Sequence, residues 1–190
     1  MTAFTISGIT AKLKQEFSSL HSFARNNTGI AAVEFALIAP ILIVLFLGAV
    51  EFSQAITVDR KLTALASSTA DLVAQTEDID DTEMDNIFQA STAIMTPYST
   101  ATLEVVVSGI SIDGSGTATV TWSDTYQGTA RSVGSNVTLP PALIINNTCL
   151  VMSESEYSFS SVVGHFLTSG VNMDDIFYLR PRASDCVIRL

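Results

Sequence analysis

An uncharged apolar run at residues 35–50, FALIAPILIVLFLGAV, constrains this chain more than any other feature. Joined to Ile30–Val33 it reaches about 21 residues, and at ~1.5 Å per residue a helix of that size is roughly 31 Å long. That length matches the hydrocarbon core of a bilayer. A buried helix of a soluble protein is the alternative, although core helices of this length rarely lack polar residues.

The charges on either side of this run predict its orientation. Residues 1–29 carry three basic side chains and one acid, whereas the remaining residues carry six basic and eighteen acidic ones. The positive-inside rule therefore places the basic leader in the cytoplasm and the acidic body outside. An acidic body also argues against nucleic acid as a partner, because phosphate contacts need clusters of Lys and Arg.

A cleaved secretory signal is a second reading of the same run. Ser53-Gln54-Ala55 could serve as a small-residue cleavage site, but Glu51 and Phe52 lie beside it. The leader is long for the basic n-region of a signal peptide, and the apolar run is longer than a usual h-region. These features favour a retained transmembrane helix.

Glu34 is an unusual residue at the start of such a span. A carboxylate at the bilayer centre costs about 2.5–3.5 kcal/mol on insertion scales, and less near the end of a helix. One interpretation is that Glu34 reaches back to the membrane interface. The other is that it pairs with a cation: a cut between Gly29 and Ile30 would create an α-amine four residues before Glu34, and opposite charges attract strongly in low dielectric.

The wider pattern around Glu34 has a known counterpart. The segment GIAAVEFALIAPILIVLFLGAVEF, residues 29–52, resembles the TadE/TadG-like family of the tight-adherence (Tad) pilus systems, which are related to type IV pili. The family pattern is Gly-x-Ala-Ala-Val-Glu-Phe-Ala, a proline within the span and then Gly-x-x-Glu-Phe. The segments ADLVAQ, residues 70–75, and FYLRPRASDCVIRL, residues 177–190, also resemble family members.

The resemblance implies a non-catalytic pilus assembly protein or minor pseudopilin, anchored in the bacterial inner membrane. Its partners would be other pilin or pilus-assembly subunits, and its C-terminal domain would be periplasmic or carried into a surface pilus. A prepilin peptidase would cut between Gly29 and Ile30, and the candidate subunit-assembly residues are Glu34, Phe35 and Pro40. A membrane-tethered periplasmic binding or adhesin module, never incorporated in a filament, remains the alternative.

Helical periodicity continues past the membrane. Pro40 predicts a kink or local unwinding within the span, but no Pro or Gly interrupts residues 51–75, so span and stalk could form one helix of about 46 residues. One apolar stripe runs along the stalk and either covers the chain's own sheet or packs against the stalks of other subunits; its members are Ala55, Val58, Leu62, Leu65, Thr69 and Leu72.

A second, amphipathic helix is predicted after the acidic segment 76–85. Asp80 followed three residues later by Glu83 fits a helix N-cap, and acids suit the positive end of a helix. The apolar residues from Met84 to Met95 follow helical spacing, and Pro97 closes the element. The acidic segment lacks the glycine and the terminal glutamate of an EF-hand loop.

Beyond Pro97 the composition changes to Thr, Ser, Val and Gly, which is typical of strands. Strands are predicted at 102–113, 117–124, 149–161 and 175–180, with a turn at 113–116 and a short helical turn near the prolines of 138–147. Helices followed by an antiparallel sheet indicate an α+β, pilin-like fold. The predicted regions are a leader at 1–29, a transmembrane helix at 30–52, a stalk and second helix at 53–96, and a β-rich domain at 97–190.

The chain has two cysteines, Cys149 and Cys186, which we expect to form a disulfide in an oxidising periplasm. No metal site and no cofactor are predicted. The sequence contains no phosphate-binding loop, no His-Glu-x-x-His and no Gly-x-Ser-x-Gly, and His21 and His165 are isolated. We therefore do not expect an enzyme.

Overall fold

The computed structural model describes residues 29–160 and 170–190. The predicted basic leader, apart from Gly29, and His165 lie outside the described residues. Two helices and six strands occur in this part of the chain, and it divides into two compact units between Ala49 and Val50. In chain order the elements are α1 (Ile30–Ala74), β1 (Asp78–Ile79), α2 (Asp81–Thr92), β2 (Leu103–Ile112), β3 (Ala118–Tyr126), β4 (Thr148–Phe159), β5 (Val171–Leu179) and β6 (Ile188–Arg189).

Helix α1 is one continuous element of 45 residues, as the sequence predicts. Its second half is amphipathic, and the stripe on one face belongs to the hydrophobic core of the unit 50–190 together with residues of the sheet. The stripe therefore covers the chain's own sheet. It ends at Val73 and Ala74, which are fully buried, while the predicted Leu72 is only partly buried. The buried members are Val58, Leu62, Leu65, Ala66, Thr69, Ala70, Val73 and Ala74.

Helix α2 begins where its sequence predicts. The Asp80 carboxylate accepts a hydrogen bond from the Glu83 backbone N–H at 2.8 Å, so the predicted N-cap is confirmed. A 3₁₀ turn, Ala93–Met95, follows the helix. Lys61 of α1 donates from Nζ to the carbonyl oxygens of Ile94 at 2.7 Å and Thr96 at 2.9 Å, which satisfies backbone groups left open at a helix end.

Strands β2 to β5 form one antiparallel sheet in the order β3-β2-β4-β5. The fold class is therefore α+β, as predicted. The β2–β3 turn is built around Asp113, whose Oδ1 accepts hydrogen bonds from the Ser115 hydroxyl and from the backbone N–H groups of Ser115 and Thr117. These bonds, that of the Ser115 hydroxyl first, hold the pKa of Asp113 below its ordinary value.

A bulge between Gly109 and Ile110 alters the pairing of β2 with β3. At this point the Trp122 indole packs directly on Gly109: a Cβ on Gly109 would lie 2.3 Å from Trp122 Nε1, so only glycine fits. Trp122 Nε1 in turn donates to the Val187 carbonyl oxygen at 2.9 Å. The bulge thereby joins the sheet to the C-terminal segment.

The sequence does not predict the short parallel pair of β1 and β6. Two backbone bonds hold the pair, from Ile188 N to Glu77 O at 3.1 Å and from Leu190 N to Ile79 O at 3.0 Å. Arg189 adds ion pairs with Asp124 and Asp81. The predicted disulfide is present, because Cys149 and Cys186 are bonded in the structure. The C-terminal segment is thus fastened to β1, β3 and β4.

Candidate functional site on helix α1

The predicted assembly residues lie together on the first three turns of α1. Helix α1 begins at Ile30, directly after Gly29. Ile30 and Glu34 are four residues apart, so they lie about 6 Å apart along the axis and on the same face of the helix. Among the described residues, no atom lies within 4 Å of a Cβ placed on Gly29.

The membrane-length part of α1 exposes its side chains on all sides. Among the described residues, α1 is the one helix long and apolar enough to cross a membrane, and none of its most apolar window is buried within the protein. Phe35, for instance, is 68 % exposed. A surface this apolar around a whole helix needs lipid or other helices around it.

Glu34 is exposed on this apolar helix. Its carboxylate takes part in no ion pair within the described residues. In a bilayer this charge would need either the interface or a cation from another molecule. No basic side chain of residues 29–160 or 170–190 therefore neutralises Glu34.

Pro40 lies inside α1, which continues through it as an α-helix. Proline has no N–H, so the carbonyl oxygen of Ala36 loses its bond from that position. The local unwinding predicted at Pro40 is therefore not observed, because α1 remains α-helical there. The unpaired carbonyl remains available to a neighbouring helix or to water.

The sequence analysis did not select Glu51, which the structure makes the most unusual carboxylate of α1. Glu51 stands four residues before Ala55, at the start of the core-facing stripe, and only 8 % of its surface is exposed. Its Oε1 is buried and has no hydrogen-bond partner among the described residues. Residues 51, 55, 58 and 62 follow one another at helical spacing, and this continuation of the stripe could have identified Glu51 from the sequence.

Replacing Glu51 with methionine is expected to stabilise the protein by about 1–3 kcal/mol. The unbranched apolar side chain fills similar space and removes a buried acceptor without a partner. Thermal unfolding of the full chain in detergent measures the effect, with Asp59→Met as the control because Asp59 is an exposed carboxylate on the same helix. A lower melting temperature for Glu51→Met would show that the carboxylate contributes to folding.

Three arginines of the unit 50–190 form ion pairs with carboxylates of the same unit. Arg131 and Glu154 form a two-bonded ion pair, at 2.5 and 2.6 Å, on the sheet face that points away from α1. Arg182 binds Asp71 near the C-terminal end of α1. No group of three or more His, Cys, Asp or Glu side chains among the described residues is arranged to hold a metal ion. These contacts connect elements within the unit.

Comparison with known proteins identifies the segment that carries the candidate site. A family model described as TadE-like protein matches residues 29–71, from Gly29 through the span into the core-facing part of α1. The predicted resemblance to the TadE/TadG-like family is thereby confirmed, and it relates the chain to Tad pilus proteins. Searches of the curated proteins and of the solved structures gave no match.

Proposed function

From the TadE-like segment at residues 29–71, we propose that this chain is a non-catalytic subunit of a Tad-type pilus system, acting as a minor pseudopilin or as a membrane-anchored assembly protein. The observation that carries the proposal is that one matched segment contains Gly29, Glu34, the membrane-length helix and the stripe that holds the folded unit. Helix α1 then serves both as anchor and as assembly element, with its N-terminus on the cytoplasmic side.

In this function Glu34 is the residue that recognises another subunit. Cleavage after Gly29 would expose the α-amine of Ile30, and the amine of one subunit would neutralise the Glu34 carboxylate of the next. Phe35 would pack against the neighbouring helix beside this pair, whereas the Ala36 carbonyl left open by Pro40 lies about half a turn around the helix from Glu34 and would be available to a second neighbour. Each element acts only when two helices lie side by side.

The alternative is a single-pass tether that carries a periplasmic binding or adhesin module. A tether needs an apolar helix of sufficient length, which α1 supplies. It has no use for a carboxylate within the first turns of the span, because that group only weakens insertion. Glu34 therefore favours the assembling subunit over the tether.

Cleavage after Gly29 gives this proposal a direct test. We expect the chain, when produced with a prepilin peptidase in the same cells, to lose residues 1–29 and to begin at Ile30. Intact-mass measurement of the membrane form shows the change, and the same cells without the peptidase are the control. A chain that still carries Met1 in cells that make pili would refute cleavage and leave the role of an uncleaved assembly protein.

A further inference from the structure

The two edge strands of the main sheet, β3 and β5, differ in how far their outer backbone groups are hydrogen-bonded. Residues 134–137 cover the first part of the edge at β3, with backbone bonds from Gly134 N to Val120 O, from Val120 N to Ser135 O and from Val137 N to Ala118 O, all between 2.8 and 3.0 Å. At the other edge, β5 pairs with β4 and with no other strand among the described residues. An open edge of nine residues is a template for another strand.

Hydrogen bonds at β5 show which backbone groups point outwards. The Ser155 hydroxyl on β4 donates to the Asp175 carbonyl oxygen at 3.4 Å, so Asp175 turns its backbone towards β4. Ile176 N–H instead bonds to the neighbouring Asp175 carboxylate at 2.8 Å. Since backbone groups alternate along a strand, residues 172, 174, 176 and 178 direct their N–H and C=O groups away from the sheet.

The same edge leaves apolar surface incompletely covered. Phe177 and Leu179 pack against the core but are only partly buried, and Ile176 on the opposite face is 43 % exposed. A groove of about 340 Å³ lies between Phe177 and Leu179 on one side and α1 on the other, and its remaining lining residues are Ser67, Ser68, Asp71 and Arg182. The charges of Arg182 and Asp71 are paired with each other. One more strand would cover this apolar surface while pairing its backbone with the edge.

The negative charge at the β5 edge favours a partner strand with basic side chains. Asp174 and Asp175 stand in the middle of β5, and across the sheet Asp174 faces Glu156, which in turn faces Glu104. Like charges directly opposite each other on neighbouring strands are destabilising. A second copy pairing through the same edge would add two more aspartates, whereas a basic segment would neutralise those already present.

We propose that the outer edge of β5 binds an extended segment of another protein in which basic and apolar residues alternate, by strand addition to the sheet. Backbone hydrogen bonds hold the segment, its apolar side chains cover Phe177 and Leu179 on one face of the sheet, and its Lys or Arg side chains pair with Asp174 on the other face, where Asp174 faces Glu156. This contact lies entirely within the unit 50–190 and needs neither Glu34 nor cleavage after Gly29. It can thus fail or hold independently of the proposed function.

The test is binding of a nine-residue peptide of alternating valine and lysine to the full chain in detergent. Titration is expected to show saturable binding and slowed amide hydrogen exchange at residues 174, 176 and 178. Ile176→Pro should abolish both effects, because it removes an outward N–H without changing the net charge; proline is tolerated at an edge where that N–H faces solvent. Ile176→Ala, which keeps the N–H, is the matched control and should retain most of the affinity.

Two further measurements separate strand addition from general attraction between charges. A peptide of the same sequence, N-methylated at alternate residues, keeps its charge but cannot pair along the edge, and we expect it not to bind the wild-type chain. The change Asp174→Asn should weaken the valine–lysine peptide by about two- to fivefold, as expected for one exposed ion pair. Equal binding of the methylated peptide, of Ile176→Pro or of Asp174→Asn would overturn the proposal, as would absence of binding to the wild-type chain.

Discussion

Replacing Cys149 and Cys186 together with serine is expected to destabilise the folded unit by about 4 kcal/mol, because the bond closes a long loop in the unfolded chain. The two residues are 37 positions apart in the sequence. For a unit of this size the melting temperature should fall by about 8–16 °C. Thermal unfolding of the full chain in detergent, followed by circular dichroism, measures the change.

Removal of the disulfide should destabilise the C-terminal segment more than the rest of the unit. Without the disulfide, β6 remains attached through the Trp122–Val187 bond, the Arg189 ion pairs and two backbone bonds to the β1 region. Amide exchange at Ile188 and Leu190 is therefore expected to accelerate more than exchange in β2 or β4. Wild-type protein treated with a reductant is the control and should behave like the double variant.

Two outcomes would contradict this expectation. One is a double variant whose melting temperature equals that of the oxidised wild-type protein. The other is the detection of two free thiols in denatured, unreduced wild-type protein, which would mean that the bond does not form in the cell. Either result would remove the disulfide from the account of how the C-terminal segment is held.

Elements determined by neighbouring residues were predictable from the sequence. Periodic apolar residues from Ala55 to Leu72 predict the amphipathic part of α1, and Asp80 with Glu83 predicts the start of α2. The four long strands were also located, although β5 begins at Val171, four residues earlier than predicted. Its first residues, Val171 to Asp174, lack the β-branched and aromatic pattern that marks the rest of the strand.

Features that depend on distant residues were not predictable. The β1–β6 pair joins residues 110 positions apart, such as Ile79 and Arg189. Each of these strands has two residues, too few to show a period of two. The contact of Gly109 with Trp122 depends on a bulge, which shifts the pairing by one residue and leaves no mark in the composition.

The features of the candidate site also fall into those set by neighbouring residues and those set by distant ones. The spacing of Gly29, Ile30 and Glu34 is local and can be read directly from the sequence. The burial of Glu51 depends on how the body packs around the start of its stripe, so a list of carboxylates does not distinguish it from Asp59. The cation proposed for Glu34 belongs to another chain, and no contact within one chain encodes it.

Replacing Glu34 with glutamine is expected to abolish assembly while leaving insertion and folding intact. Glutamine has nearly the same shape but carries no charge, so it cannot neutralise an α-amine from another subunit. Breaking a buried ion pair by removing one partner costs about 3–5 kcal/mol. A loss of 3 kcal/mol at each contact corresponds to a more than hundredfold lower equilibrium constant for adding a subunit.

Three measurements on a strain that makes pili, with its own copy of the gene replaced, test this expectation. Membrane fractionation should show normal amounts of the Glu34→Gln chain, thermal unfolding should give the wild-type melting temperature, and the count of pili by electron microscopy should fall to the level of the deletion strain. Asp59→Asn is the matched control, because it removes one exposed carboxylate from the same helix outside the span. It should leave piliation unchanged.

The same variant separates an assembling subunit from a tether. For a tether, loss of a carboxylate from the span removes an insertion penalty and nothing else, so Glu34→Gln should reach the membrane at least as well and keep every activity. For an assembling subunit, better insertion should coincide with loss of pili and of crosslinks between α1 helices. Normal piliation with Glu34→Gln would rule out charge pairing at this residue, since only the charge differs between the two side chains.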